Sequence, residues 1–354
     1  MGVVHRPWYY RLRVRNALSR RSKVGFGPIF ENEYTLGLRK WRTDPFVNVI
    51  NRSRSHYVAD IYFPGDDLSR FAVAVIVKEL DFFRVDVLRR LREQGTRFIY
   101  DLADIRHVRT PAGQRDIYAD RDAYESVFWP FVQCMDALIL ASPLQRPEFA
   151  ALPIPQVEIA RPLLNTRHRA EYAHSGPIRL VWNGHPENLE PMRRLQPIVQ
   201  RLRDDTGLDV RLVYDTAGKA RIEGFIEYRE WNVNRWEHVL VESDVGVVIK
   251  PLDDVFQQHK PPTKIVTYMG AGLPVVCTPS EADRGVIRHG ETGFFAHDDR
   301  EWYECLHALV TDAGLRERVG MAGRRYVEER FGLRRITGEY TALFDQVLGE
   351  GRRQ

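Results

Sequence analysis

The sequence predicts an α/β protein made of two doubly wound, Rossmann-like domains, each with a parallel sheet. Three observations carry that expectation. The chain has 354 residues, more than one hydrophobic core usually serves. Two successive series alternate short apolar runs with segments of helical spacing. A proline-punctuated stretch separates the two series.

The first series follows a basic opening segment. Val24-Gly-Phe-Gly27 reads as a strand running into a glycine turn. Residues 71–77 are continuously apolar, as strands covered on both faces are, and residues 85–92 space their apolar side chains for a helix. Residues 97–101 and 137–141 add two strands on either side of a long polar stretch. Strand, helix, strand in this order predicts parallel pairing through right-handed crossovers. Ala151-Leu-Pro-Ile-Pro155 and Arg161-Pro162 then form the candidate hinge. The expected division is 1–160, 161–332, and a final segment 333–354.

The second series starts with a strand at 178–182, turns at Gly184, and continues through a helix over 189–204. Further strands are expected at 209–214, 245–249 and 273–276, and helices at 301–310, 315–331 and 334–348. Two such sheets are expected to face a cleft, because ligands of doubly wound sheets bind outside the carboxyl ends of the strands.

The most informative stretch is Lys260-Pro-Pro-Thr-Lys264-Ile-Val-Thr-Tyr-Met-Gly-Ala-Gly-Leu-Pro-Val-Val276. It reads as two lysines, a short helix, a glycine stop and a buried strand. Pro261 and Pro262 suit a helix's first turn, where backbone N–H groups lack internal partners and the helix dipole favours an anion. A phosphate fits such a place with little rearrangement.

These residues resemble the donor-binding half of GT-B glycosyltransferases, family 4 in particular. The resemblance is strongest from about Val239 to Phe331 and includes Asp244-Val-Gly-Val-Val-Ile-Lys-Pro-Leu252 and Val286-Ile-Arg-His-Gly-Glu-Thr-Gly-Phe294. It implies a retaining, metal-independent hexosyltransferase that uses a nucleotide diphosphate-sugar as substrate, needs no other cofactor and transfers to a hydroxyl acceptor, glycan or lipid-linked. Polysaccharide or glycoconjugate biosynthesis is the family's habit. The resemblance also implies that the final helix crosses back to the first domain. Two positions depart from the family's glutamate pair: Thr267 and His259 stand where glutamates are usual, the former where the ribose is generally held. A lysine-rich variant of the family matches better through Lys260 and Lys264.

The candidate donor-binding residues are Gly27, Gly184, His185, Lys250, His259, Lys260, Lys264, Thr267 and Arg284. Lys264 and Lys260 would neutralise the departing diphosphate, since fixed cations stabilise charge where it develops. A solvated helix start is the plain alternative. Lys250 would be delivered by a strand's carboxyl end, or be a rim charge beside Pro251. Gly184 would let its backbone approach an anion, with His185 next to it. Arg284, with Glu281 and Asp283, falls in the loop where the family meets the sugar. In the first domain Asp101, Asp104 and His107 follow a strand and are the candidate catalytic group, positioning the acceptor hydroxyl or taking its proton. The alternative is aspartates that satisfy loop backbone groups.

Composition excludes other classes. A net charge of +4 is small for this length and argues against a nucleic-acid partner. Cys134, Cys277 and Cys305 lack metal-site spacing, so no metal is expected and a reducing, cytoplasmic compartment is. No apolar run approaches the roughly 18 residues of a membrane span. Arginines among Trp8, Tyr9 and Tyr10 offer a peripheral hold on an anionic membrane surface, with a frayed solvated terminus as the alternative. A dinucleotide fingerprint at Gly25-Phe-Gly27 fails at Phe30, Asp120-Arg-Asp122 lacks a preceding strand, and Ser142 and Ser280 lack a nucleophile elbow. A nucleotide-sugar epimerase and a silent sugar-nucleotide-binding subunit are the competing expectations.

Overall fold

In a computed structural model the chain divides into two compact units, Met1–Pro162 with Leu333–Gln354, and Leu163–Gly332. The structure describes residues 7–30, 39–78, 80–103, 121–140, 142–184, 190–216, 226–232 and 235–349.

Unit 1 holds six strands: β1 (Ser22–Gly27), β2 (Tyr57–Ile61), β3 (Val73–Val77), β4 (Arg97–Asp101), β5 (Ala137–Leu140) and β6 (Gln156–Glu158). They lie in the order β2-β1-β3-β4-β5-β6, and every neighbouring pair is parallel. The continuous apolar runs of β3 and β5 follow from burial on both faces. One face carries a core that includes Phe26, Phe46 and Val75, the other a core that includes Tyr100, Phe128 and Phe131. The prolines of the expected hinge bracket β6, an edge strand that a missing N–H tolerates.

The helix Leu333–Leu348 belongs to unit 1. Its buried residues Ile336, Tyr340, Leu343 and Phe344 recur at helical spacing and enter the core beside Phe26 and Phe46. From Pro7 onward the opening segment is not a frayed tail. Pro7–Ala17 is a helix whose Asn16 is buried and donates to the Ala59 carbonyl at 3.0 Å and to Asp60 Oδ1 at 2.6 Å. Arg13 pairs with Asp66. These buried polar contacts hold a segment that composition alone leaves solvated.

Unit 2 holds β7 (Ile178–Gly184), β8 (Val210–Thr216), β9 (Ile226–Glu230), β10 (Val245–Val248), β11 (Val275–Cys277) and β12 (Phe294–Phe295). Their order is β12-β11-β10-β7-β8-β9, again parallel throughout. Chain direction reverses its sideways progress between β7 and β10, so this sheet has the switch point at which doubly wound folds bind ligands. The helix Leu195–Thr206 buries Leu195, Ile198, Val199 and Leu202 on one face of the sheet. The helix Thr263–Gly270 connects β10 to β11 and is almost wholly buried. No helix among the described residues is long and apolar enough to cross a membrane.

Candidate functional site

The carboxyl ends of β7, β8 and β10 and the start of the helix Thr263–Gly270 form the candidate site in unit 2. Pro262 stands at the helix N-cap, so the two prolines precede the first turn instead of occupying it. No side chain caps this end. The Thr263 N–H is taken by the Pro261 carbonyl at 2.8 Å and the Val266 N–H by Pro262 at 2.9 Å. The backbone N–H groups of Lys264 and Ile265 meet no acceptor among the described residues, and the buried Thr263 Oγ1 has no partner. Unfilled donors at a helix start are a ready anion seat.

Lys264 completes that seat. Its Nζ lies 4.5 Å from the centroid of the Trp182 ring. It also stands 3.0 Å from where a Cβ would sit on Gly184, the last residue of β7. Such a Cβ would approach the Trp182 ring to 2.7 Å, so glycine is required here for a close approach. Lys264 as a residue is partly open, yet no carboxylate pairs with its ammonium among the described residues. Burial first, and then the charges of Lys260 and Lys250, push its pKa down to about 7 against the opposing pull of Asp283. An anion arriving here gains a cation that the protein has left uncompensated.

Lys250 has a different environment. It is buried, and its Nζ lies 2.7 Å from Asp283 Oδ2, 3.2 Å from Ser280 Oγ and 3.4 Å from the Lys260 carbonyl. Ser280 in turn donates to Asp283 at 2.6 Å. Desolvation raises the Asp283 pKa against the pull of Lys250. This network ties the end of β10 to the loop after β11 and to the backbone leading into the lysine helix. Lys250 and Asp283 therefore hold each other, and neither presents a free charge.

The remaining unit 2 candidates are spread along the same rim. Lys260 is partly buried and follows His259, which ends the short helix Val255–His259. Thr267 is buried one turn below Lys264, where its carbonyl accepts from Asn165 Nδ2 at 3.0 Å. Arg284 is exposed beside Glu281 at 3.5 Å. His185 lies outside the described residues.

In unit 1 Asp101 closes β4 and is fully buried. It pairs with Arg42 at 2.9 Å, accepts from the Tyr340 hydroxyl at 3.0 Å and receives the Ala103 N–H at 3.1 Å. These bonds join the strand to residues 42 and 340 and occupy both carboxylate oxygens. Gly27 ends β1 against the Tyr62 carbonyl, where a Cβ would approach to 2.5 Å. Asp104 and His107 lie outside the described residues. The structure thus gathers Gly184, Lys250, Lys260 and Lys264 in unit 2 and places Gly27 and Asp101 in unit 1.

One acid was not singled out by sequence. Asp215, the penultimate residue of β8, is 0% exposed, and neither of its oxygens has a hydrogen-bond partner among the described residues. Desolvation alone raises its pKa to about 7. Its neighbour across the sheet is Asn183 of β7. An acid near the end of a largely apolar run, with Gly218 three residues on, was the available signal.

No protein-family model matches the chain. Over 103 residues it is 29% identical to spore coat protein SA of Bacillus subtilis, a match covering 27% of this chain and 27% of that protein. Solved structures agree over far more of its length. Sucrose-phosphate synthase from Thermosynechococcus elongatus superposes with a TM-score of 0.67 at 11% identity, covering 93% of this chain and 100% of that one. HepE of Anabaena, solved with UDP and glucose, gives 0.60 at 10% identity over 92% and 100%. The pneumococcal O-GlcNAc transferase GtfA, with UDP and GlcNAc, gives 0.59 at 12% identity over 78% and 57%.

The fold is GT-B. Two doubly wound parallel α/β units are what the sequence led us to expect, though not six strands in each, and at these identities the likeness speaks for the fold alone.

Proposed function

We propose that the chain is a glycosyltransferase that moves a sugar from a nucleotide diphosphate-sugar to a hydroxyl acceptor. The observation that carries this reading is the unpaired, enclosed ammonium of Lys264, set against Gly184 and Trp182 at a helix start with open N–H groups. That arrangement suits a pyrophosphate, whose charge grows as the sugar departs. Neighbours of the same fold were solved with UDP and a sugar, which supports a nucleotide-sugar donor.

In this reading unit 2 holds the donor, with Lys264 and the backbone N–H groups of Lys264 and Ile265 on the diphosphate. Unit 1 selects the acceptor. We assign retention of configuration, hexosyl transfer and metal independence from the family resemblance, and a role in polysaccharide or glycoconjugate assembly likewise. Asp101 is committed to Arg42 and Tyr340, which favours a mechanism in which the departing phosphate takes the acceptor proton. We place the protein in the cytoplasm with a peripheral hold on the membrane. Exposed Val14 and Leu18 beside the exposed Arg11 and Arg15 support that hold.

The test is incubation with UDP-, ADP- and GDP-linked sugars, following nucleoside diphosphate release with and without hydroxyl acceptors. Acceptor-dependent release by the native chain, lost in Lys264→Met, supports the reading. An isomerised donor without any acceptor would mark an epimerase. Donor binding without turnover over a broad acceptor panel would mark a silent binding subunit.

A further inference from the structure

We infer that Asn183 and Asp215, side by side at the carboxyl ends of β7 and β8, grip vicinal hydroxyls of the nucleotide-sugar. This rests on the reading above and adds a ligand contact to it. The two residues are register partners on adjacent parallel strands, so their side chains leave the same face of the sheet. Asn183 is fixed by Tyr268, whose hydroxyl donates to Asn183 Oδ1 at 2.9 Å and accepts the Asn183 backbone N–H at 2.8 Å. Its amide nitrogen keeps no acceptor among the described residues and Asn183 is partly open. Asp215 beside it has two unpartnered oxygens.

A buried carboxyl without a partner is rarely retained in a native chain unless something completes it. No lysine, arginine or histidine among the described residues perturbs this one, and it forms no metal-binding cluster there. The missing partner is therefore a hydrogen-bond donor. A phosphate oxygen suits the ionised carboxylate poorly, since it would face a second acceptor. A hydroxyl both donates and accepts, which matches a carboxyl set next to an amide N–H.

Strand order points to the same class of ligand. Counted outward from the switch point, β7 is the first strand of its half-sheet and β8 the second. In doubly wound sheets of this order, a phosphate sits at the end of the first strand and an acid at the end of the second takes ribose hydroxyls. Here Gly184 and Lys264 mark the first position and Asp215 the second. Thr267 lacks the paired acceptor oxygens of a carboxylate, and Asp215 supplies them from the other side of the nucleotide seat. In the free chain the acid is covered. Contact with a hydroxyl therefore requires the carboxyl to turn toward the partly open Asn183.

The experiment measures calorimetric binding of UDP, 2′-deoxy-UDP and UDP-glucose to the wild type, Asp215→Asn and Asn183→Ala, with thermal melting of each ligand-free protein. ADP and GDP pairs serve where UDP does not bind. The wild type should prefer ribose over deoxyribose by roughly tenfold, the worth of one hydrogen bond to a charged group. Asp215→Asn should bring that preference within about twofold while melting at a higher temperature than the wild type, because it removes an uncompensated acid. A purely structural acid would give the opposite melting shift. If the transferred sugar supplies the hydroxyls, Asp215→Asn instead erases the difference between UDP-glucose and UDP and keeps the ribose preference. Wild-type binding with both discriminations unchanged in Asp215→Asn overturns this inference alone. Failure of the wild type to bind any nucleoside diphosphate or UDP-glucose overturns the functional reading and this contact with it.

Discussion

Raising the pH from 7 to 8.5 is expected to strip a nucleotide-sugar from the chain, and the responsible group is Lys264. Its pKa in the free protein lies near 7 against an ordinary 10.5. The charged groups facing it are Lys260 and Lys250, which lower it, and Asp283, which raises it. A bound pyrophosphate returns the pKa toward its ordinary value. Each unit corresponds to about 1.4 kcal/mol, so the ceiling on proton-linked binding is ~5 kcal/mol, reduced by the partial exposure of the residue. Affinity should level off well below pH 7 and approach a tenfold loss per unit well above it, a fall of roughly sixteenfold between pH 7 and 8.5. UDP-glucose is the suitable probe because both its phosphates are diesters and stay singly charged over this range. Titration calorimetry in two buffers of different ionisation enthalpy should find about half a proton taken up per ligand at pH 7. Lys264→Met should bind more weakly, by roughly ten- to a hundredfold, with a flat profile. A flat wild-type profile, or an unchanged slope in Lys264→Met, refutes the reasoning. The stability of the free chain runs the other way. With the folded pKa below the unfolded one, the unfolded state holds more protons between pH 7 and 10.5, so this lysine makes stability rise with pH across that window.

Gly184→Ala should cost about 1–3 kcal/mol in a urea melt through overpacking against Trp182, and should weaken UDP-glucose binding by displacing Lys264. Unchanged binding would refute the assigned contact. Asp101→Asn should destabilise unit 1 by about 3–5 kcal/mol, because the buried Arg42 loses its counter-charge. Asp283→Asn should lose a similar ~3–5 kcal/mol by stranding Lys250, with Lys250→Met in the same chain recovering most of it. Asp215 gives a stability change with pH. Its folded pKa of about 7 exceeds the ordinary 3.8, so its penalty is absent below pH 4 and grows as pH rises to 7. The melting advantage of Asp215→Asn should therefore appear between pH 4 and 7, approaching on the order of 4 kcal/mol; an advantage constant with pH would point to another cause.

Strands buried on both faces were readable because burial leaves a continuous apolar run, as in β3, β5 and β10. β2 was missed because Asp60 interrupts its apolar run, and the partner that makes this tolerable, Asn16, lies 44 residues away. β9 is an edge strand carrying Glu227, Arg229 and Glu230, a polar pattern that suits an edge and leaves a fainter strand signal around Tyr228 than an apolar run would. In the site, Lys264 and Gly184 were legible from local glycine, proline and lysine patterns. Whether a charge is free or committed was not. Lys250 is held by a residue 33 positions on, and Asp101 by partners 59 and 239 positions away. The converse holds for Asp215, whose significance is the absence of a partner, a property that exists only once the strands are side by side.

The helix Leu333–Leu348 packs into the core of unit 1 but is translated after every residue of unit 2. During synthesis the contiguous segment Leu163–Gly332 can close its own sheet while Phe26 and Phe46 still await Tyr340 and Phe344. The first half to leave the ribosome is thus the second to become complete. Its half-formed core exposes aromatic surface to chaperones for the time needed to make some 170 further residues, about 10–30 s at ordinary elongation rates.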